Sequence, residues 1–309
     1  ERTQSMNQRN VILDTDIGFD IDDTWALGML LNMPELKTKL VLAVSQTPEY
    51  TGAVAAKFLQ EVGRSDIPVA INPASRKADA PPLPLRKWLG RFKLEDYSGT
   101  VLRNGIEEMI RLIEMHKETT IIGIGPMTNL AEFCRRRPDL VSKCRLVAMA
   151  GSFHKNFRDA PGKIAEYNVE HDIPASQTVF RADWKVFIIT PLDHCGNMIV
   201  GGGLYQHFKE SQQAIPRTIL ESYRSWLPLS GAQDDAETAS SILYDTVAVY
   251  LAATERNVKF ADMNLIVDDK GFLQTAPGGR PVRVAMEWED IDAFKHELIG
   301  ILLRGTVKQ

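Results

Sequence analysis

The chain has 309 residues, 44% of them hydrophobic and 25% charged, with 36 Lys and Arg against 40 Asp and Glu for a net charge of −4. These are the proportions of a soluble globular protein long enough to bury roughly 75% of its unfolded surface, and they exclude disorder, collagen, coiled coil and a disulfide scaffold. The slightly acidic balance argues against a nucleic-acid partner, and no apolar run approaches the ~18–20 residues of a membrane span.

Along the chain, residues 1–10 read as a polar extension without the apolar core of a signal peptide. Cytoplasmic residence, or secretion with a leader already removed, are the alternatives. Val11 to Leu13 is a short apolar run that stops at Asp14, and Thr24 to Leu31 follows with helical spacing. Leu40 to Val44 predicts a second strand, Gly52 to Val62 a helix, and Ile67 to Ile71 a third strand. Residues 72–84, rich in Pro and Ala, read as a long surface loop. Gly105 to Met115 has a strong helical pattern, and the β-branched run Thr119 to Ile122 comes next. Met127 to Cys134 is helical, Arg145 to Met149 a strand, Ala175 to Phe180 a helix and Val186 to Ile189 a strand. Residues 225–241, with Pro228, Gly231 and Asp234-Asp235, read as a second loop or lid. Alternating signals of this kind predict a single α/β domain over 1–309, its mostly parallel sheet flanked by helices on both faces. Cys134, Cys144 and Cys195 are too few and too scattered for a disulfide framework and read as small buried hydrophobes.

The stretch Val11-Ile12-Leu13-Asp14-Thr15-Asp16-Ile17-Gly18-Phe19-Asp20-Ile21-Asp22-Asp23 holds five aspartates within ten residues, just past a strand. In a parallel sheet the carboxyl ends of the strands share the edge where ligands bind. Crowded carboxylates repel, and a hard divalent cation resolves the conflict, since Ca²⁺ accepts about 6–8 oxygen ligands. Two other readings exist. The acids can simply serve the N-terminus of the following helix, where its dipole favours negative charge, or Asp14-x-Asp16 can belong to a phosphohydrolase of the haloacid-dehalogenase type.

Asp14-Thr15-Asp16-x-Gly with Asp22-Asp23 before a helix resembles the signature of the inosine-uridine-preferring nucleoside hydrolases. Gly125-Pro126-Met127-Thr128-Asn129-Leu130-Ala131 is similar to that family's Gly-Pro-Leu-Thr-Asn-Leu-Ala. Met149-Ala150-Gly151 is similar to its Met-Gly-Gly turn, and Ala165-Glu166-Tyr167-Asn168 to its Ala-Glu-Phe-Asn. Leu243-Tyr244-Asp245 falls where the family has a His-Asp pair. The motifs come in the family's order and span Val11 to about Leu303.

The resemblance implies a Rossmann-like nucleoside hydrolase fold and hydrolysis of the N-glycosidic bond of ribonucleosides, with one Ca²⁺ as cofactor and a homodimeric or homotetrameric assembly. Carried over, Asp16, Asp23, Asp245 and the carbonyl of Ile124 would hold the metal, with Asp16 also the general base on the attacking water. Asp22 would accept from a ribose hydroxyl, and Glu166 and Asn168 would grip the sugar. Asn168 would also stabilise charge on the ring, and Asp14 would orient the loop. Glycosidic cleavage builds oxocarbenium character on the sugar, so oxygens beside the ring favour its transition state.

Two departures stand out. The family's proton-donating His is Tyr244 here, a phenol of ordinary pKa ~10 that stays protonated at neutral pH but is poorly matched as an acid. His194, His154 and His171 are the candidate substitutes. After the second strand, where the family has Gly-Asn or Gly-Asp, Gln46 would make the sugar contact. Asp20, in a two-residue insertion, reads as a spectator. Phe19, Phe153, Phe157, Tyr167, Trp226 and Tyr244 sit near the expected site edge, with Trp226 the one expected to touch a base. Trp25 and Trp184 read as core. These departures motivate a competing reading, a non-catalytic nucleoside- or ribose-binding relic.

Overall fold

The computed structural model describes residues 8–73 and 82–305. Ten strands form one sheet: β1 (Arg9–Thr15), β2 (Leu36–Ala43), β3 (Val69–Ala70), β4 (Val101–Leu102), β5 (Thr119–Gly123), β6 (Cys144–Met149), β7 (Val186–Thr190), β8 (Val258–Val267), β9 (Leu273–Thr275) and β10 (Arg280–Trp288). Their order is β4-β3-β2-β1-β5-β6-β7-β10-β8-β9. All neighbours from β4 to β10 pair in parallel, and β8 and β9 add antiparallel at one edge.

The central strands are apolar on both sides because both faces are covered. Val11 and Leu13 of β1 join one core cluster with Ile122, Val147 and Ile188, while Ile12 joins the other with Ile121, Leu146 and Ile189. The first cluster is covered by the Asp22–Asn32, Pro48–Glu61, Tyr244–Ala253 and Ile291–Leu302 helices. Against the second lie Gly105–Met115, Thr128–Arg136 and Ile173–Arg181. Both Trp25, stacked on Phe208 at 4.2 Å, and all three cysteines are buried.

Each expected strand and helix is present, with ends moved by a few residues. Arg9 and Asn10, read as extension, already belong to β1. The segment 225–241 is not loop throughout: a helix runs Ala214–Ser230 with Pro228 in its last turn and stops at left-handed Gly231, so Trp226 stands on a helix. Of the 72–84 loop, 74–81 lie outside the described residues. The antiparallel strands went unread because β8 exposes residues along most of its length, leaving no continuous apolar run. No described helix is long and apolar enough to cross a membrane.

The sheet order reverses between β1 and β5: β2 follows β1 on one side, β5 lies on the other. Such a switch point opens a crevice at the carboxyl ends of the strands. Register places Asp14 level with Gly123 and Thr15 level with Ala43, so the chain leaving β1 at Asp16 runs beside Ile124.

Candidate functional site

The acidic loop is held from several directions. Ile124 donates its N–H to the Asp14 carbonyl at 2.9 Å. A Cβ on Gly125 would stand 2.9 Å from both the Asp16 nitrogen and its Oδ1, so only glycine permits this approach. Gly18 turns with φ +113° against the Tyr50 ring. The Tyr50 hydroxyl donates to the Gly18 carbonyl at 2.6 Å and accepts from Leu85 N–H at 2.8 Å. Trp226 Nε1 donates to the Phe19 carbonyl at 2.8 Å. Thr15 Oγ1 donates to Asp23 Oδ1 and receives the Ile17 N–H.

Two buried helices bring the ends of the chain together. The Asp22–Asn32 and Tyr244–Ala253 helices both start at the crevice, with Asp22, Asp23 and Asp245 in their first turns. The Asp245 N–H donates to Asp22 Oδ2 at 2.9 Å, across 223 positions. Carboxylate oxygens of Asp22, Asp23 and Asp245 fall within 4.8 Å of one another. The N-cap positions, Ile21 and Leu243, give neither helix a side-chain cap, and Asp22 instead serves the first turn of the Tyr244–Ala253 helix through the Asp245 N–H.

These groups line a cavity of about 500 Å³ with Asp16, Ile124, Glu166, Asn168 and a set of apolar side chains. Six of its lining residues are acidic (Asp16, Asp20, Asp22, Asp23, Glu166, Asp245), and among the described residues that line it none is Lys, Arg or His. Burial first, then mutual repulsion, holds Asp16, Asp22, Asp23 and Asp245 well above the carboxylate range. Burial also pushes Glu166 to about 7, opposed by hydrogen bonds from Gly151, Asn168 and Val169 N–H. Carboxylates packed this tightly without a basic side chain fit a hard, oxygen-seeking cation.

Sequence reasoning placed Asp16, Asp23 and Asp245 on the metal and Asp22 on the sugar. Among the described residues Asp22 comes together with Asp23 and Asp245, its carboxylate accepting the Asp245 N–H. Asp16 lines the same cavity and feels Asp22 electrostatically. Asp20 is exposed and accepts the Ile21 N–H.

Opposite the acids, the turn after β6 and the Tyr167–Glu170 helix contribute Glu166 and Asn168. Glu166 accepts Gly151 N–H at 2.9 Å and Asn168 N–H at 2.8 Å, so it caps this helix while facing the cavity. Asn168 Nδ2 donates to the Met149 carbonyl at 3.1 Å, which leaves Oδ1 for a ligand. Tyr244 also lines the cavity, edge-on to Phe157 with ring centroids 6.1 Å apart, and burial holds its phenol far above the usual range.

Five expected residues lie elsewhere. His194 is buried, stacked on Trp288 at 4.1 Å, with Nδ1 beside Thr190 Oγ1 at 3.0 Å. Burial pushes it down to about 3, so it stays neutral and lines no part of the acidic cavity. The reason is the single helical turn Leu192–Cys195, which swings the ring back under β10. Gln46 and His171 meet at 3.4 Å and line a different cavity of about 340 Å³, with Asn72 and Asn129. His154 is exposed and Phe153 packs into the second core cluster.

Other residues matter that carried no role in the sequence. Asn129 Nδ2 donates to Asp14 Oδ1 at 2.7 Å and to the Ala43 carbonyl, and Asn72 donates to Asn129 Oδ1. Burial lifts Asp14 to about 7 despite this bond. Thr15, inside the motif, and Tyr50, brought to it from the Pro48–Glu61 helix, are likewise supports.

The profile of the family described as inosine-uridine preferring nucleoside hydrolase matches residues 11–295. The chain is 32% identical over 231 residues to the pyrimidine-specific ribonucleoside hydrolase RihA of Salmonella typhi, covering 68% of this chain and 69% of that protein. Its fold is similar to that of a plant nucleoside hydrolase, PpNRh1, with a TM-score of 0.78, 18% identity and coverage of 96% of this chain and 98% of that one. It is also similar to the inosine-uridine preferring nucleoside hydrolase of Bacillus anthracis, with a TM-score of 0.75, 19% identity and coverage of 96% and 99%.

Proposed function

This chain belongs to the inosine-uridine preferring nucleoside hydrolase family and is an N-ribosyl hydrolase, and from that premise we propose that it splits ribonucleosides into base and ribose with one Ca²⁺ seated among the buried aspartates. Membership sets the phosphohydrolase reading aside. The observation that carries the proposal is the meeting of Asp22, Asp23 and Asp245 from opposite ends of the chain in a cavity whose lining, among the described residues, holds no basic side chain.

Asp23 and Asp245 would hold the ion with Asp16 and the Ile124 carbonyl, an all-oxygen donor set suited to a hard cation. Such an ion, when bound, offsets the carboxylate charge and makes water easier to deprotonate. Asp16 takes the proton of the attacking water, and Asp22 accepts from a ribose hydroxyl through the oxygen not engaged by Asp245 N–H. As the glycosidic bond breaks, its electron pair leaves with the base, and Glu166 and Asn168 Oδ1 face the positive charge left on the sugar. Tyr244, held protonated, packs against the leaving base and offers it a hydrogen bond. The protein works as a homodimer or homotetramer, which sedimentation tests.

The deciding experiment measures reducing sugar released from purine, pyrimidine and nicotinamide ribosides, with chelator and with calcium restored. Turnover that disappears with chelator and returns with calcium is expected. No sugar from any riboside would sink the proposal. Tyr244 in the place of a histidine, with His194 unavailable, favours the binding relic as the second reading, and calorimetric binding without product would establish it.

A further inference from the structure

The cavity has two ends. One is the carboxylate cluster; the other is apolar, made by Phe157, Trp226, Leu229 and Tyr244. Phe157 (47% exposed) and Leu229 (52%) are among the few large hydrophobics left open to solvent, an arrangement that marks a binding surface. Phe157 opens a short 3-10 turn, Phe157–Asp159, set apart from the long helices and from the sheet. Immediately after Phe157, Arg158 (φ 56°) and Asp159 (φ 60°) are consecutive left-handed residues, neither of them glycine. Side-chain-bearing residues hold this conformation only where their surroundings impose it.

Three polar contacts restrain the turn. Arg158 N–H donates to the Gly196 carbonyl at 2.8 Å, and Asn197 Nδ2 donates to Asp159 Oδ2 at 2.9 Å. The Arg158 guanidinium donates to Asp234 Oδ1 at 2.6 Å. Asp234 follows the helix that carries Trp226 and Leu229, so this one ion pair ties together the two chain segments that form the apolar end. Neither charged residue lines the cavity itself.

We propose that the Arg158–Asp234 pair is a latch that sets where Phe157 stands against Tyr244, and so selects the leaving base. This rests on the ribonucleoside reading above. Arg158 and Asp234 are positioning residues: they act through Phe157 on the base and leave the sugar grip of Glu166 and Asn168 untouched. Bases flat enough to lie along the Phe157 and Tyr244 edges are favoured, with dispersion and edge contacts as the source of affinity.

The test compares wild type with Arg158→Asn, which tolerates the left-handed backbone but loses the guanidinium, Asp234→Asn, the double variant, and the exchange Arg158→Asp with Asp234→Arg. The readouts are KM and kcat for several ribosides and the inhibition constant of free ribose. Each single variant is expected to raise riboside KM about threefold to fivefold, the scale of a part-exposed ion pair. The kcat and the ribose constant stay unchanged, the double is no worse than either single, and the exchange recovers most of the loss. Additive effects, an equal shift in the ribose constant, or an unchanged riboside KM would overturn the latch. Wild type that releases no sugar overturns the hydrolytic reading instead, and the latch is then decided by the ratio of riboside to ribose affinity measured calorimetrically. Wild type that binds neither overturns both.

Discussion

Removing divalent cations should destabilise the protein at pH 8 and barely affect it at pH 5. Burial pushes Glu166 and Asp14 each to about 7, and holds Asp16, Asp22, Asp23 and Asp245 well above the carboxylate range. A carboxyl whose folded-state pKa lies above its unfolded value costs nothing below pH ~4, where both states are protonated, and costs steadily more as the pH rises through ~7. For Glu166 alone, the interval from 4.5 to about 7 amounts to about 3 kcal/mol lost by pH 8. A cation that binds only the folded state, at a hundredfold excess over its dissociation constant, contributes about 2.7 kcal/mol in the other direction. For 309 residues at about 2.1 cal/mol/K each, the unfolding entropy is about 0.65 kcal/mol/K, so the midpoint Tm rises about 4 °C. Scanning calorimetry of the intact chain with chelator, then with calcium, should give about that shift at pH 8 and under about 1 °C at pH 5, where protons occupy the site. Asp245→Asn should erase the pH 8 difference. A shift of equal size at both pH values, or none at pH 8, would refute the reasoning.

Asp16→Asn should lower kcat by about 10²–10⁴, the worth of a positioned base, while riboside binding survives; single-turnover sugar release and calorimetry read the two separately. Gly125→Ala would place a methyl 2.9 Å from the Asp16 nitrogen and Oδ1. Turnover should fall at least about tenfold, since an acid displaced by even ~1 Å loses much of its effect. His194→Ala should leave the pH–rate profile unaltered, because the ring is neutral and stacked beneath Trp288. It should lower stability by about 1–3 kcal/mol in urea unfolding, as Trp288 loses its stacking partner; a flattened alkaline limb of the profile would restore His194 as a proton donor.

Local order decided which parts of this molecule could be read in advance. Val11–Leu13, Thr119–Ile122 and Val186–Ile189 announce themselves because strands buried on both faces must be apolar at every position. β8 buries only three of its ten residues and gives no such signal. The aspartates near Val11, the Glu166-Tyr167-Asn168 stretch and Asp245 were equally plain, since each sits in a short motif at the start of a helix or the end of a strand. Which atoms meet is another matter. Asp22 joins Asp245 across 223 positions because two buried helices pack side by side. His194 and Gln46 carry the right chemistry next to the right strands, yet one turn of helix buries the first under Trp288 and the second faces a neighbouring cavity. A residue's type and its distance from a strand end are properties of the chain, whereas the direction of its side chain is settled by long-range packing.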